Sequence, residues 1–316
     1  MSEPPHPVLH NRKEAAEFVA QHYTPQLNLL TEMVNYASNL IPRAFNSSGK
    51  QMRDLMVCFG FLKQFASMLD AAEVLLRAGA VHASFVPARV AFEASIYLEW
   101  LLVSDGEKKA NYYYVGDIRK ERVWGLRAQK ATLESSDFLK EIGKIGIDIA
   151  TNQPGLSADG VKHVANVERI LARPEYVGIN AAFDAFKKQK GMKHEPEWYK
   201  VLGKRSIKDI ARELQRLPEY VIYYQQASQV THSASYKDQL KFKSKGVSAQ
   251  PLRNLADIHT AFNYGFTTAM HAFHRVLAFY RPDELLAFSL MYATDWRSAF
   301  VNIPHVVIAD AQRPAN

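Results

Sequence analysis

Arg89 and Glu93 stand four residues apart in "ARVAFEAS", and Tyr224, Ser228 and His232 recur at four-residue steps in "YYQQASQVTHSAS". On a helix, that spacing places each set on one face. A guanidinium suits a phosphate or carboxylate because its planar fork donates to two oxygens at once. Arg89 is the candidate anion holder, with Glu93 orienting it. Their neighbours Val90, Ala91, Phe92, Ile96 and Leu98 are apolar, so the pair must be partly desolvated. Burying either ion is costly unless further hydrogen bonds satisfy it. An imidazole at the edge of a buried face is both desolvated and reachable, which suits acid–base work near neutral pH. His232 and Glu93 are therefore the candidate catalytic residues, and Arg89, Tyr224 and Ser228 the candidate ligand-binding ones. The competing assignment makes these residues core struts: a buried Arg–Glu pair and a histidine capped by Ser228.

At roughly 100° per residue, Tyr220, Tyr223, Ala227, Val230 and Ala234 form one apolar stripe of a helix. Tyr224, Ser228, Thr231, His232 and Ser235 form a polar band beside it, where a cleft wall would run. Arg89 lies in "VHASFVPARVAFEASIYLEWLLVSD", a segment apolar nearly all round and so expected to be a central helix. It carries His82, Pro87, Arg89, Glu93 and Glu99, too many costly groups for a lipid-facing span. The functional reading needs these two helices to bring Arg89 and His232 to one water-accessible rim.

The charge is uneven. Between Lys187 and Arg253 there are fifteen Lys and Arg against six Asp and Glu, a net of +9 in a chain of +7. Such an excess favours an anionic partner. Lys237, Lys241, Lys243 and Lys245, just beyond His232, are expected to draw it in, which makes RNA or a nucleotide the partner of choice. Cys58 is the sole cysteine, which suits a reducing compartment. The first residues lack a basic stretch followed by an apolar run, so no leader peptide is expected. The expected setting is cytoplasmic, away from the membrane.

Long periodic segments with few turn clusters predict an all-α fold: one large multi-helix bundle with a less regular helical elaboration in the middle. The expected divisions are an N-terminal helical segment 1–48, a core bundle 49–281 that includes the elaboration 135–203, and a C-terminal helix and tail 282–316. Helices are expected from Asn11 with a break at Pro25, over Gln51–Arg77 ended by Gly79, and over Asp257–Tyr280. "KDQLKFKSKGVSAQPLRN" reads as a basic loop, and no strand alternation is evident.

Three stretches together, "PARVAFEASIYLEWLL", "EWYKVLGKRSIKDIARELQ" and "YVIYYQQASQVTHSAS", resemble a broad family of bacterial all-helical proteins catalogued as a domain of unknown function. The shared pattern is an Arg-x-x-x-Glu helix, a Trp before a Ser-Ile helix start, then Tyr, Ser and His at four-residue steps. Here these are Arg89 and Glu93, Trp198, Ser206 and Ile207, and Tyr224, Ser228 and His232. The likeness spans roughly Asp70 to Tyr280. It implies a helical fold in a bacterial, intracellular setting, and no activity.

Other motifs carry less. "RAGAVH" places Arg77 and His82 at the spacing used by HEPN-type ribonucleases, but Ala78 stands where those enzymes have a polar residue and Gly79 would break the helix. "SIKDIARELQ" lacks the glycine turn and basic second helix of a DNA-reading motif. His259, Asn263, Thr267, Met270 and His274 share a helix face that reads as a polar seam rather than a metal site. No phosphate loop or nucleophile elbow is present, and no cofactor is expected. The sequence thus predicts an anion-recognising helical protein, with phosphodiester chemistry at Arg89, Glu93, Ser228 and His232 as its enzymatic form. The alternative is a non-catalytic interaction module, with a homodimer built on the Tyr-rich helices.

Overall fold

The computed structural model describes residues 11–129, 132–143, 155–234, 236–243 and 246–304. Helices dominate them, as the periodicity predicts, and the only described sheet is one two-stranded hairpin. The chain groups into two compact units, 1–104 with 207–316, and 105–206.

In the first unit, helix Arg12–His22 stops at Tyr23 and a new helix, Thr24–Asn46, starts with Pro25 in its first turn. There the missing N–H of proline is harmless. Next comes Met52–Arg77, whose segment Leu55–Phe61 is π-helical. Among the described residues this helix alone is long and apolar enough to cross a bilayer by length and composition. Phe65, Leu69 and Leu76 of it are buried. Gly79 ends it at φ +72°, the left-handed conformation that glycine adopts without cost. Helix Val81–Val103 then runs through the core: Phe85, Phe92, Ile96, Leu98, Trp100 and Leu101 are all buried. Helix Ile258–Tyr280 packs along it with Phe262, Phe266, Phe273 and Leu277 inside.

The helix that carries His232 departs from constant periodicity. It opens with Leu217–Glu219, becomes π-helical over Tyr220–Tyr224 and returns to α-helix over Gln225–Thr231. The wider π turn shifts the phase, so Tyr224, expected in the polar band, is the buried tyrosine of the stretch, while Tyr220 and Tyr223 are half-buried. The helix also ends earlier than the stripe requires. Ser233 takes φ +53°, the Ala234 N–H donates to Gln229 O (2.8 Å) and the Ser233 N–H to Val230 O (3.2 Å), a Schellman cap. Ala234 therefore leaves the stripe and is exposed. Ser235 lies outside the described residues.

The expected basic loop is ordered differently. A 3-10 turn, Tyr236–Gln239, leads into strands β1, Leu240–Lys243, and β2, Gly246–Ala249, paired antiparallel with Phe242 opposite Val247. Strands of four residues leave too few alternations for a sequence pattern to register. The chain then folds through Leu285–Met291, a π stretch Tyr292–Trp296 and Arg297–Val301.

The second unit holds helices Gly106–Ala128, Leu133–Gly143, Gly155–Leu171, Pro174–Gln189 and Trp198–Val201. The segment 135–203 lies inside it. Its centre is Arg119, buried against Phe183 and donating to Glu195 Oε2 (2.6 Å), Asp184 Oδ1 (2.7 Å) and the Asn180 side chain.

Candidate functional site

Arg89, Glu93, Tyr224 and His232 meet on the first unit. Arg89 and Glu93 face outward from one turn of the central helix, and the π turn swings Tyr224 onto them. Arg89 Nε donates to Glu93 Oε1 (3.1 Å), Arg89 Nη2 donates to the Tyr224 hydroxyl (3.2 Å), and that hydroxyl donates to Glu93 Oε1 (2.7 Å). The guanidinium carbon also lies 5.1 Å from the centre of the Tyr224 ring, within cation–π range. Arg89 Nη1 is 3.4 Å from His232 Nε2. A guanidinium can only donate, so this contact requires Nε2 without its proton and the proton on Nδ1.

The cluster opens to solvent. The side chains of Arg89 and Glu93 are 18% and 27% exposed, and His232 is exposed. Burial works against the charge of Arg89, but the Tyr224 hydroxyl and Glu93 outweigh it and hold its pKa above the usual value. Burial, reinforced by the neighbouring Glu93 carboxylate, raises the pKa of Tyr224. Tyr224 is thus held as a protonated donor. Three of the five guanidinium N–H groups face Glu93, Tyr224 and His232. The other two have no hydrogen-bond partner among the described residues.

The remaining expected residues are placed less directly. Ser228 is half-buried one turn before His232 and accepts the His232 N–H through its backbone carbonyl (3.0 Å). Among the described residues no hydrogen bond joins its hydroxyl to the cluster. Lys237 is exposed on the turn after His232, and Lys241 is half-buried on β1. Lys243 closes β1, with its side chain outside the described set, and Lys245 lies outside the described residues. Arg77 and His82 fall on different helices. Arg77 binds Glu73 Oε1 (2.5 Å), so the HEPN-like spacing forms no site. Of the histidine seam, His259 pairs with Asn263 (3.3 Å); His271, next to that face, pairs with Glu219.

A second cluster beneath the first was missed by sequence reasoning. Arg216 is buried; its Nη1 donates to Glu99 Oε1 and its Nε to Glu219 Oε1 (2.8 Å), while His271 Nε2 lies 3.1 Å from the same Glu219 oxygen. Burial raises the pKa of Glu99. For Glu219 burial is opposed by the His271 hydrogen bond and the Arg216 charge, which bring it down to about 2. Phe92 separates the clusters: Arg216 lies 5.5 Å from its ring centre, and Tyr224 and Tyr264 lie 5.6 and 5.7 Å away. The signal available was Glu99 itself, a carboxylate inside "YLEWLLV", which demands a buried cation from elsewhere in the chain.

Fold and site define an all-helical protein whose central helix presents a hydrogen-bonded arginine, beside an exposed histidine, at the surface of one unit. The chain has no match among curated proteins or among solved structures. A family model described as a family of unknown function (DUF5677) matches residues 55–245, and the chain belongs to that family. The matched span contains Arg89, Glu93, Trp198, Ser206, Tyr224, Ser228 and His232. It begins before the expected limit of Asp70 and ends before Tyr280.

Proposed function

We propose that the chain recognises a phosphate-bearing partner, a nucleic acid or nucleotide, at the Arg89 cluster. The observation that carries this reading is Arg89 itself: a cation fixed on one edge by Glu93 and Tyr224, with unused N–H groups beside solvent. A pre-oriented guanidinium of this kind binds a phosphate without the cost of ordering a free side chain. An arriving phosphate oxygen would compete with His232 for Arg89 Nη1. That exchange would free His232 Nε2 to take a proton from an attacking hydroxyl, the step a phosphodiester-cleaving form requires.

The closed hydrogen-bond triangle of Arg89, Glu93 and Tyr224 favours a second reading, in which the cluster is a strut satisfied without any ligand. One experiment separates the two. Under the first reading, Arg89→Ala weakens binding of single-stranded RNA or nucleotide at low salt by at least roughly tenfold, and Arg89→Lys, which keeps the charge and loses the fork, falls between. Under the second, no binding is detected at any salt and Arg89→Ala destabilises the fold by about 3–5 kcal/mol. In the cleaving form, His232→Ala abolishes phosphodiester turnover with unchanged thermal stability, and persistence of turnover refutes that form.

A further inference from the structure

The hairpin after His232 is built inside out. Phe242 and Val247 face each other across the strands, with Leu240 and Ala249 two residues along on the same face. Most of that face is turned to water: Phe242 is 64% and Val247 58% exposed and Ala249 is exposed, with Leu240 half-buried at the base, while Lys241 and Ser248 on the opposite face are half-buried. A hairpin stabilised by its own core would show the reverse, since burial selects the register. This one is secured at its root instead. Gln250 N–H donates to Gln239 O (2.8 Å), and Asn11 exchanges two 3.0 Å hydrogen bonds with the Arg253 backbone. Tyr236, at the entry turn, is 63% exposed.

The surrounding charge selects the occupant. From Tyr236 to Asn254 the sequence has five Lys and Arg against Asp238 as its one acid. Exposed aromatic rings among cations match single-stranded nucleic acid, whose bases stack on rings while its phosphates meet positive charge. The position also fits. Tyr236 is four residues beyond His232, at most roughly 14 Å along the chain.

We infer that the outward face of the hairpin, Phe242 with Tyr236, is a base-stacking platform, so that the partner of the Arg89 cluster is single-stranded nucleic acid several nucleotides long. This rests on the proposed phosphate recognition at Arg89. One phosphate occupies Arg89 and flanking bases stack on the platform, with the exposed Lys237 beside the backbone between them.

The test is fluorescence anisotropy on the full chain with a labelled single-stranded RNA of about ten nucleotides and with an abasic strand of equal length. Phe242→Ala and Tyr236→Ala are expected to weaken RNA binding by roughly tenfold or more while leaving the abasic strand unchanged. Arg89→Ala should weaken both. Phe242→Trp should keep the affinity, with its emission quenched by RNA and not by the abasic strand. If the alanine variants bind RNA like the parent while Arg89→Ala still weakens it, the platform is refuted and phosphate recognition stands. If the parent binds neither strand, both ideas fall. Phe242-dependent binding to phosphatidylserine vesicles, without Phe242-dependent RNA binding, would also overturn the proposal and assign the face to a membrane surface.

Discussion

Three buried or half-buried arginines show how hydrogen bonding decides what a cation can do. Each nitrogen of Arg119 has a protein partner and its side chain is only 1% exposed, so its role is confined to holding its own unit together. Arg216 binds Glu99 and Glu219 but leaves Nη2 buried without a partner among the described residues. Arg89, like Arg119, has a partner at each nitrogen, but one of them is the exposed His232 and the side chain itself is 18% exposed. Arg216→Ala would strand Glu99 in the core without its cation and is expected to cost about 3–5 kcal/mol in denaturant unfolding, far more than Arg216→Met combined with Glu99→Leu. Glu219 gives a pH readout. Its carboxyl is held down to about 2 from the ordinary 4.5, so its stabilisation is complete above about pH 4.5 and is lost as pH falls toward 2. Glu219→Gln should therefore be less stable than the parent at pH 7, and the gap should close over that acid range. A gap independent of pH would show that the charge of Glu219 contributes nothing. Cys58, fully buried with its thiol pushed up to about 12, should resist alkylation at neutral pH until the protein unfolds.

At the scale of elements, ends and irregularities place the site. Two Schellman-like caps with non-glycine residues in the left-handed conformation flank the tyrosine-rich helix: Gln215 before it, with the Arg216 N–H donating to Ala211 O (2.7 Å), and Ser233 after it. One cap turns Arg216 into the core and the other leaves His232 beside Arg89. Gly79 does similar work between the helices that end at Arg77 and begin at Val81. A Cβ there would stand 2.8 Å from the Ala15 Cβ, at φ +72°. Gly79→Ala thus combines a clash with a disfavoured backbone and is expected to cost at least roughly 2 kcal/mol, measured by denaturant unfolding. Apolar periodicity located the long helices well, because each buries a continuous face. It could not locate π turns, which alter phase over one turn, nor a hairpin whose apolar face points outward.

Across the whole molecule, the +9 segment overstates the field available to a partner. Arg216 is buried against Glu99, which lies outside the segment and neutralises it. By sequence the hairpin region still carries five Lys and Arg against one acid between Tyr236 and Asn254. Proposed binding should therefore weaken linearly on a log–log plot as salt rises, and Lys237→Ala should lower the slope by about one if it meets one phosphate. A slope unchanged in that variant would remove Lys237 from the interface.

The sequence by itself determined the all-α class, the buried central helix, the helix breaks near Pro25 and at Gly79, and the kinship with a family of unknown function. Each of these depends on spacing along one helix or on the backbone limits of one residue, which neighbours in the chain decide. Only the tertiary structure could join residues 89 and 232, pair Arg216 with Glu99 and turn Phe242 to solvent. Those arrangements depend on which helix face meets which, on a phase shift of a single turn, and on the desolvation of charges by segments more than a hundred residues away.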